Sequence, residues 1–444
     1  MLSVSTRYAG KHHAILGMGA SGMAAARLAR RLGADITLLD DGAPDKVAAA
    51  AAQARAEGFA VRTGPESLTC GTAFDLAILS PGIDPSWPLA QSVSRRGVPC
   101  ISEIEFAFQQ TSVPVIAVTG TNGKTTTTGL IAHLLTACGK RTVPCGNYGT
   151  ALSEVVLADQ PLDVLTLEVS SFQLELIAQF HPRVAVWMNF APDHLDRHPS
   201  LEAYRLAKLR IFERQTAADT AVINAAETYP PLAGRPVTFS AWLDDAMWSF
   251  HDGAITYLGR PVLALADTQL RGRHNAENIM AALAAVTAWG LPLDEAAAHV
   301  ASFTPPRHRC EVVARVQGRE FLNDSKATNI HAMESALRGQ DHAVVLIAGG
   351  KDKGLDYLPL LPLIREKTTH VFTIGEIGPA LALTWPGAVP CQDLEEAVHR
   401  AFAASAPGQS ILFAPGTSSF DMFTGYAHRG DVFCQIVHQL LPTS

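Results

Sequence analysis

Short apolar runs alternate with longer stretches of helical periodicity over almost the whole chain. In the first quarter, apolar runs at residues 14–18, 36–39 and 76–79 predict strands, and the pattern at 23–32 predicts a helix between the first two. Short strands separated by helices pair in parallel through crossover connections. The pattern therefore predicts a doubly wound α/β sheet.

The same alternation begins again twice further along the chain. The second block has predicted strands at 115–118, 164–167, 184–188 and 220–223 and predicted helices at 126–138, 201–214 and 275–289. The third block has predicted strands at 344–347, 371–374 and 411–413 and predicted helices near 395–404 and 420–441. Pro305 and Pro306 mark a linker before it, because tandem prolines continue neither a helix nor a central strand. We expect three domains, over residues 1–103, 104–306 and 307–444.

Length and composition agree with three soluble α/β domains. The 444 residues correspond to three domains at about 150 residues each. Hydrophobic residues make up 48% and charged residues 17%, which is too apolar for an intrinsically disordered chain. The net charge of −7 lacks the basic footprint of a nucleic-acid-binding protein. It leaves room for anionic ligands, which local groups can hold.

Targeting and cysteine patterns point to the cytoplasm. No segment has the roughly 18 consecutive apolar residues of a membrane-spanning helix. The first residues lack the apolar core of a signal peptide. The seven cysteines include no C-x-x-C pair, which favours reduced thiols. We expect a cytoplasmic protein with neither membrane nor nucleic-acid partners.

A glycine pattern follows the first predicted strand. Gly17, Gly19 and Gly22 open the first helix, and Asp40 ends the next strand. Such glycines let the backbone approach a diphosphate at a helix N-terminus, as in dinucleotide-binding folds. The alternative is a tight strand-to-helix turn that needs glycine only for steric reasons.

A second glycine loop is much more specific for phosphate. It lies between the strand at 115–118 and the next helix and consists of Gly120, Thr121, Asn122, Gly123, Lys124, Thr125 and Thr126. Backbone N–H groups in such a loop surround phosphate oxygens, the lysine reaches the β- and γ-phosphates, and the threonine hydroxyl binds Mg²⁺. Val118 stands where the first glycine of a full P-loop pattern would be. A chance Gly-Lys-Thr in an ordinary loop is the alternative.

Three further positions in the second block are candidates for cation chemistry. Glu168 ends a strand, where a carboxylate can reach a phosphate-bound Mg²⁺. His194 follows another strand and is either a metal ligand or a surface histidine. Lys208 lies on an amphipathic helix, where most lysines simply extend into solvent.

Two loops in the third block follow strands. One covers residues 323–329 and the other residues 349–354, with lysines at 326, 351 and 353. In open α/β sheets, ligands bind where loops leave the carboxyl ends of strands. Lysines there suit carboxylates or phosphates, and a glycine-lysine turn without function is the alternative for the second loop.

Taken together, these motifs resemble the Mur ligases, the ATP-dependent amide ligases of peptidoglycan precursor synthesis, nearly end to end. The resemblance is carried by the sequence strings at residues 167–175, 193–198, 207–211, 272–278, 308–309, 323–328 and 418–423. The Ser-Ser-Phe-Gln-Leu-Glu string at 170–175 resembles the corresponding string in the branch of the family that adds D-glutamate. The resemblance implies an N-terminal Rossmann-like domain, a central P-loop ATPase domain and a C-terminal Rossmann-like domain.

The reaction implied by the resemblance joins D-glutamate to UDP-N-acetylmuramoyl-L-alanine, with ATP converted to ADP and phosphate through an acyl phosphate. It also implies a role in cytoplasmic cell wall synthesis, and hence in cell shape and cell division. Small-molecule substrates are the expected partners, and we expect a monomer.

The resemblance also implies roles for individual residues. ATP would contact residues 120–126 together with Asn275, Asn278, Arg309 and Asp324. Mg²⁺ would be held by Thr125, Glu168, His194 and a carbamylated Lys208. The catalytic group would comprise Lys124, Glu168, His194, Lys208 and Lys326. UDP-N-acetylmuramoyl-L-alanine would contact Ala20, Ser21, Asp40, Ser80, Gly82, Asn147 and His194. Glutamate would contact Thr328, Lys353, Ser419 and Tyr426.

Three other functions remain open at this point. The first glycine pattern with Asp40 also fits an NAD-dependent oxidoreductase, although that function leaves the loop at 120–125 and Glu168 without a role. A P-loop kinase for a small molecule would use the second loop alone. A nucleotide-binding module without catalysis is the third.

Overall fold

The structure is a computed structural model that describes residues 7–195, 197–340 and 342–441. The strands of these residues form three sheets, of five, nine and six strands. The chain divides into two compact units. The N-terminal unit extends to Ser249 and includes Thr256–Val262 and Asn278–Val300. The C-terminal unit comprises Phe250–Ile255, Leu263–Glu277 and the chain from Ala301.

The first sheet is parallel throughout and has the strand order β3-β2-β1-β4-β5. Its strands are β1 (His12–Leu16), β2 (Asp35–Asp40), β3 (Ala60–Thr63), β4 (Leu76–Leu79) and β5 (Cys100–Ser102). The accompanying helices are α1 (Ala20–Arg31), α2 (Pro44–Ala56), α3 (Pro65–Leu68), α4 (Pro88–Ser94) and α5 (Glu103–Phe108). The predicted doubly wound parallel sheet is confirmed.

The first sheet is buried on both faces, which explains its uninterrupted apolar strands. Ile15 and Ile78 belong to one apolar cluster, whereas Leu16 and Leu79 belong to another. Successive side chains of a strand point to opposite faces, so a strand covered on both sides needs apolar residues at every position.

The second sheet has the order β14-β13-β12-β11-β10-β9-β6-β8-β7 and is parallel from β7 to β12. Its strands are β6 (Val115–Thr119), β7 (Pro144–Gly146), β8 (Leu165–Glu168), β9 (Val184–Trp187), β10 (Thr220–Asn224), β11 (Arg235–Ser240), β12 (Trp248–His251), β13 (Ala254–Tyr257) and β14 (Arg260–Ala264). The helices are α6 (Lys124–Ala137), α7 (Leu152–Ala158), α8 (Ser171–Leu174), α9 (Leu201–Leu209), α10 (Arg273–Trp289) and α11 (Leu293–Ala298).

Two buried glutamates join the first sheet to the second within the N-terminal unit. The carboxylate of Glu105, on α5, accepts hydrogen bonds from the backbone N–H groups of Ala178, Gln179 and Phe180 at 2.8–3.0 Å. Glu103 accepts one from the N–H of Ser153 at 2.6 Å. One apolar core includes residues of both sheets. The segment after β5 is therefore fixed to the second sheet at several points.

The third sheet belongs to the C-terminal unit and has the order β15-β16-β20-β17-β18-β19. All its described pairs are parallel except the antiparallel pair of β15 and β16. Its strands are β15 (Glu311–Val316), β16 (Arg319–Asn323), β17 (Val344–Gly349), β18 (Thr368–Ile374), β19 (Val389–Pro390) and β20 (Ser410–Phe413). Its helices are α12 (Ile330–Arg338), α13 (Leu361–Lys367), α14 (Gly378–Thr384), α15 (Leu394–Ala404) and α16 (Tyr426–Gln439).

Two predicted helices are shorter than expected. The helix predicted at 420–441 begins only at Tyr426, because the preceding residues form a hydrogen-bonded turn around Ser419 and the extended Gly425. The helix predicted at 201–214 is α-helical only to Leu209 and continues as a 3₁₀ turn to Phe212. Among the described residues, no helix combines the length and apolar character needed to span a bilayer.

Candidate active site

The first glycine loop is held by Asp40. One carboxylate oxygen accepts the N–H of Met18 at 3.0 Å and the other accepts the N–H of Gly42 at 3.0 Å. A Cβ atom on Gly22 would lie 2.0 Å from the carbonyl oxygen of Gly17, so this glycine allows α1 to pack against the turn. Both oxygens of Asp40 thus organise the loop, and Gly22 is needed for steric reasons as well.

The predicted contacts of the UDP-linked substrate in the first block lie on the same edge of the first sheet, whereas Asn147 and His194 follow strands of the second sheet. Ala20 and Ser21 form the first turn of α1, whose N-cap Gly19 provides no side-chain hydrogen bond to the helix N–H groups. Ser80 follows β4 and donates its hydroxyl to the carbonyl oxygen of Gly17 at 3.2 Å. Gly82 is exposed beyond it. The edge brings helix N–H donors and hydroxyls together, as an anionic ligand requires.

The second glycine loop depends on two positive φ angles. Gly120 has φ +140°, and a Cβ atom there would lie 2.8 Å from the Cβ of Met188. Gly123 has φ +83°, and a Cβ atom there would lie 2.4 Å from Oδ1 of Asn278. Neither position accepts a side chain without strain. Asn278, a predicted ATP contact, is thus placed directly against the loop, where it also accepts the hydroxyl of Thr127 at 3.3 Å.

Lys124, Thr125 and Thr126 begin helix α6 directly after the loop. The ammonium of Lys124 donates to the carbonyl oxygens of Gly120 at 2.9 Å and Thr121 at 2.8 Å. The N–H of Asn122 donates to the side chain of Asn189 at 2.9 Å. The loop, the lysine and the helix N-terminus together provide the donors that bind phosphate in P-loop proteins.

Glu168 ends β8, which is paired with β6 on the sheet. The carboxylate is buried, and Oε1 accepts a hydrogen bond from Nδ2 of Asn147 at 2.6 Å. Oε2 is buried as well and has no hydrogen-bond partner within the described ranges. A buried carboxylate oxygen without a donor is suited to a cation, so this residue fits a role as a Mg²⁺ ligand.

Lys208 is fully buried on α9, whereas most lysines on helices extend into solvent. Its ammonium donates to the carbonyl oxygen of Gly120 at 2.8 Å and lies 4.7 Å from the ring centroid of Tyr204. Burial, and then the positive charge of Lys124, hold the pKa of this amine well below its usual value. The lowered pKa makes the deprotonated, nucleophilic form of this amine more accessible than it is for an exposed lysine.

His194 has a left-handed backbone conformation, with φ +56°. Its N–H donates to the carboxylate of Asp193 at 2.9 Å. The imidazole contacts Phe172 edge to face, at 5.0 Å between ring centroids, and is flanked by Tyr204 at 5.8 Å. The side chain is 41% exposed, so a ring nitrogen can reach a ligand.

In the C-terminal unit, Asp324 and Lys326 follow β16. Burial raises the pKa of the Asp324 carboxyl to about 6, although the neighbouring Arg309 opposes the shift. The ammonium of Lys326 lies 3.8 Å from the ring centroid of Tyr426, a cation–π contact between a predicted catalytic residue and a predicted glutamate contact. Asn275, on α10, donates to the carbonyl oxygen of Arg271 at 2.8 Å.

Arg429 organises the predicted glutamate loops and was not identified from the sequence. It is fully buried on α16 and donates to the carbonyl oxygens of Ser325, Thr417 and Ser418 at 2.8–3.2 Å. Ser419 is buried next to these loops, whereas Thr328 is half-buried and Lys353 exposed. Arg429 is the only arginine of the predicted C-terminal helix, and neither spacing nor motif marked it as functional.

A second group of possible metal ligands lies near the start of β15. Atoms of His308, Glu311 and Cys434 lie within 4.8 Å of one another. The amide of Asn323 already donates to Nδ1 of His308 at 3.0 Å and to Sγ of Cys434 at 3.2 Å. These contacts satisfy the group as a hydrogen-bond network, so it favours a structural role.

Comparisons with known proteins identify the same family from two separate parts of the chain and from relatives that cover nearly all of it. The family model of the Mur ligase middle domain matches residues 118–286, and that of the Mur ligase glutamate ligase domain matches residues 308–417. A UDP-N-acetylmuramoylalanine–D-glutamate ligase from Syntrophotalea carbinolica is 39% identical, covering 98% of this chain and 98% of its own. The protein of the same name from Bacillus cytotoxicus is 37% identical, covering 98% and 99%.

Solved structures share the fold. The UDP-N-acetylmuramate-alanine ligase of Thermotoga maritima superposes with a TM-score of 0.62 at 19% identity, covering 97% of this chain and 99% of that one. A MurF ligase of Thermotoga maritima in complex with ADP superposes with a TM-score of 0.60 at 16% identity, covering 82% and 95%. At these identities the likeness concerns the fold alone.

Proposed function

The chain belongs to the Mur ligase family, and from that premise we propose that it catalyses the ATP-dependent ligation of D-glutamate to UDP-N-acetylmuramoyl-L-alanine in peptidoglycan precursor synthesis. The products are the new amide, ADP and phosphate. One observation carries the proposal: the chain matches proteins named UDP-N-acetylmuramoylalanine–D-glutamate ligase over nearly its full length. The phosphate-binding loop, whose Gly120 accepts a hydrogen bond from the buried Lys208, and the buried carboxylate of Glu168 support it.

The chemistry explains why ATP is needed. A carboxylate is a poor electrophile at neutral pH, so the carboxyl group of the L-alanyl residue accepts the γ-phosphoryl group and becomes an acyl phosphate. The amine of D-glutamate then attacks the acyl carbon and phosphate leaves. Phosphoryl transfer depends mainly on positioning and on neutralising charge at the phosphate oxygens. The backbone N–H groups of residues 120–126 and the ammonium of Lys124 supply both.

Mg²⁺ is the cation that this donor set favours, because hard oxygen ligands predominate. We assign its coordination to Thr125, Glu168, His194 and a carbamylated Lys208. When bound, Mg²⁺ offsets the negative charge of the transferring phosphoryl group. Glu168 contributes the buried oxygen that has no hydrogen-bond donor in the described part of the chain.

The surroundings of Lys208 support its proposed carbamylation. A buried neutral amine can add CO₂ and release a proton, which converts a base into an anion. The carbamate nitrogen would keep one N–H, which can still donate to the carbonyl oxygen of Gly120 that accepts from Nζ of Lys208. The anion would balance the positive charge of Lys124, which contributes to the lowered pKa of the amine.

We assign the remaining ligands by unit. The loops after β1 and β4, with Ala20, Ser21, Asp40, Ser80 and Gly82, would bind the UDP-linked substrate. Asn147 and His194 would contact its reacting end. In the C-terminal unit, Asn275, Arg309 and Asp324 would contact ATP, with Lys326 as a catalytic cation. Thr328, Lys353, Ser419 and Tyr426 would bind D-glutamate.

The proposed division into domains keeps the limits 1–103, 104–306 and 307–444. We propose a monomeric enzyme that works in the cytoplasm, where ATP and UDP-sugars are made.

Phosphate release tests the function directly. The protein is assayed with ATP and Mg²⁺, leaving out UDP-N-acetylmuramoyl-L-alanine or D-glutamate in turn, and L-glutamate replaces D-glutamate in a parallel series. We expect ADP, phosphate and an amide product only with the complete mixture containing D-glutamate. Phosphate release that ignores glutamate, or a stable phosphorylated product, would instead identify a kinase or another ATPase. Preference for L-glutamate would contradict the assigned amino-acid substrate.

A further inference from the structure

Arg197 is a nearly buried arginine in the same loop as His194, and none of the roles above uses it. Its side chain is 9% exposed. The guanidinium forms an ion pair with Asp84 at 2.8 Å and another with Glu175 at 2.9 Å. Taking a guanidinium and two carboxylates largely out of water is costly unless their geometry is good, and the two short contacts fix the direction of the guanidinium.

The ion pair with Asp84 connects Arg197 to the first sheet. Arg197 also donates to the carbonyl oxygen of Ile83 at 3.3 Å. The N–H of Ile83 in turn donates to the carbonyl oxygen of Ser80 at 3.0 Å, closing the turn that contains Gly82. Arg197 therefore fixes the loop that carries two proposed contacts of the UDP-linked substrate.

The guanidinium also contacts the surroundings of His194. Its carbon lies 4.5 Å from the ring centroid of Phe172, and that ring contacts the imidazole of His194 edge to face at 5.0 Å. Glu175, the second carboxylate partner of Arg197, comes directly after α8 (Ser171–Leu174), the helix that contains Phe172. One side chain thus contacts both the substrate loop of the first sheet and the ring that supports His194.

We propose that Arg197 is a positioning residue that couples binding of the UDP-linked substrate at the loop after β4 to cation binding at His194. The inference rests on the proposed function, because it uses the substrate and the cation assigned there. When the substrate binds, it holds residues 80–84 and therefore the carboxylate of Asp84 in one position. The ion pair between Asp84 and Arg197 then holds the guanidinium against Phe172, and Phe172 in turn holds the imidazole of His194. By thermodynamic linkage, cation binding strengthens substrate binding by the same factor.

The charges around Arg197 favour this coupling. Asp84 is also held by the N–H and hydroxyl of Ser86 at 2.7 and 2.6 Å, so its carboxylate has a defined direction. Nearby, His198 is buried and accepts or donates a hydrogen bond with the hydroxyl of Ser171 at 2.9 Å. Burial lowers the pKa of His198 to about 4, so this histidine stays neutral and does not compete with Arg197 as a cation for Glu175, although its Nδ1 lies 3.4 Å from that carboxylate.

The test measures binding in addition to activity. The dissociation constant of UDP-N-acetylmuramoyl-L-alanine is determined by calorimetry with and without Mg²⁺, for the wild type, Asp84→Asn and Arg197→Lys. The amide introduced by Asp84→Asn would keep an oxygen for Ser86 but lose the charge, so the turn should persist while the ion pair is lost. For the wild type we expect Mg²⁺ to tighten binding about tenfold. For both variants we expect this effect to fall severalfold, leaving only the part due to Mg²⁺ binding by the diphosphate and to direct contact of His194 with the substrate.

Arg27→Ala is the matched control. Arg27 forms a bidentate ion pair with Glu57 at 2.6–2.8 Å in the same unit, away from the loops in question. This variant should keep the full effect of Mg²⁺, including any part due to Mg²⁺ binding by the diphosphate itself. Thermal unfolding of each variant establishes that it is folded. If Arg197→Lys does not fold, the binding data for Asp84→Asn alone test the coupling.

The outcomes separate the two proposals. If the wild type forms the amide but Asp84→Asn retains the full Mg²⁺ effect on binding, the coupling role of Arg197 is refuted and the function stands. If the wild type forms no amide with D-glutamate, the proposed function itself is refuted. A wild type whose substrate binding is insensitive to Mg²⁺ also overturns the inference.

Discussion

At the scale of single residues, Lys208 gives the sharpest prediction. Lys208→Ala should lose ligase activity, because the buried anion that would bind Mg²⁺ cannot form. Formate or acetate added at high concentration should restore part of that activity, since a small carboxylate can occupy the space of the deleted carbamate. Initial rates of phosphate release across a series of carboxylic acids provide the measurement.

Lys124→Ala is the control for this rescue. It removes a cation that we assign to the phosphates, and a carboxylate cannot replace a cation. Lys124→Ala should therefore be inactive with and without the acids. Full activity of Lys208→Ala without any acid, or equal rescue of both variants, would contradict the carbamate.

The sequence singled out Lys124 and Lys208 as candidates, but it did not predict the environment of Lys208. Tyr204 and Lys208 are four residues apart on α9 and both face the core, whereas Leu206 between them is 53% exposed. A sequence shows that a polar residue falls on the apolar face of a helix, but it does not show how completely that residue is buried. Lys208 is buried because the loop at Gly120 from a different part of the chain covers it.

At the scale of elements, Arg429 joins one helix to two loops. Arg429→Met keeps much of the side-chain volume but leaves the buried carbonyl oxygens of Ser325 and Thr417 without donors. Each such loss costs roughly 1–3 kcal/mol. We expect the free energy of unfolding of the C-terminal unit to fall by about 2–4 kcal/mol, with a raised KM for D-glutamate. Urea unfolding and steady-state kinetics measure the two effects.

Arg400→Ala is the matched control on α15 in the same unit. Arg400 forms an exposed pair with Glu396 one helical turn away, at 2.7 Å. Such pairs contribute only about 0.3–0.5 kcal/mol, so both the stability and the KM should hardly change. Equal effects of the two substitutions would show that Arg429 does not organise the glutamate loops.

Which strands the sequence could predict depends on their burial. The parallel strands β1, β4, β6 and β20 are apolar on both faces, and runs of apolar residues predicted all four. Strands β11 and β14 begin with exposed residues and contain Pro236 and Pro261. Proline and a partly exposed pattern are typical of loops or sheet edges, so no strand was predicted there.

At the scale of the whole molecule, the three blocks of strand and helix were predictable, but the contacts between blocks were not. The two glutamates on α5 illustrate the reason. Acidic residues are rarely buried unless they have partners, and the partners of Glu103 and Glu105 lie about 50–75 residues further along the chain. Local periodicity carries no information on such pairs, although they fix the first sheet to the second.

Buried histidines predict how the whole molecule responds to acid. Burial lowers the pKa of His13, His198 and His274 from 6.5 to about 4 in the folded chain. Below pH 6.5 the unfolded chain binds protons that the folded chain refuses, so these groups reduce the free energy of unfolding as the pH falls from 6.5 towards 4. At higher pH they have no effect. Asp324 acts in the opposite direction, because its pKa is raised to about 6.

A comparison of variants isolates the contribution of one histidine. The Nδ1 atom of His13 is buried without a hydrogen-bond partner among the described residues, and its ring packs against Tyr8 and Phe106. His13→Phe therefore removes the titrating group without breaking a hydrogen bond at that atom. Between pH 6.5 and 4 it should lose on the order of 2–3 kcal/mol less stability than the wild type. His399→Gln, an exposed change on α15, should follow the wild type. Denaturant unfolding at several pH values measures these curves, and parallel curves for His13→Phe and the wild type would show that His13 does not resist protonation in the folded state.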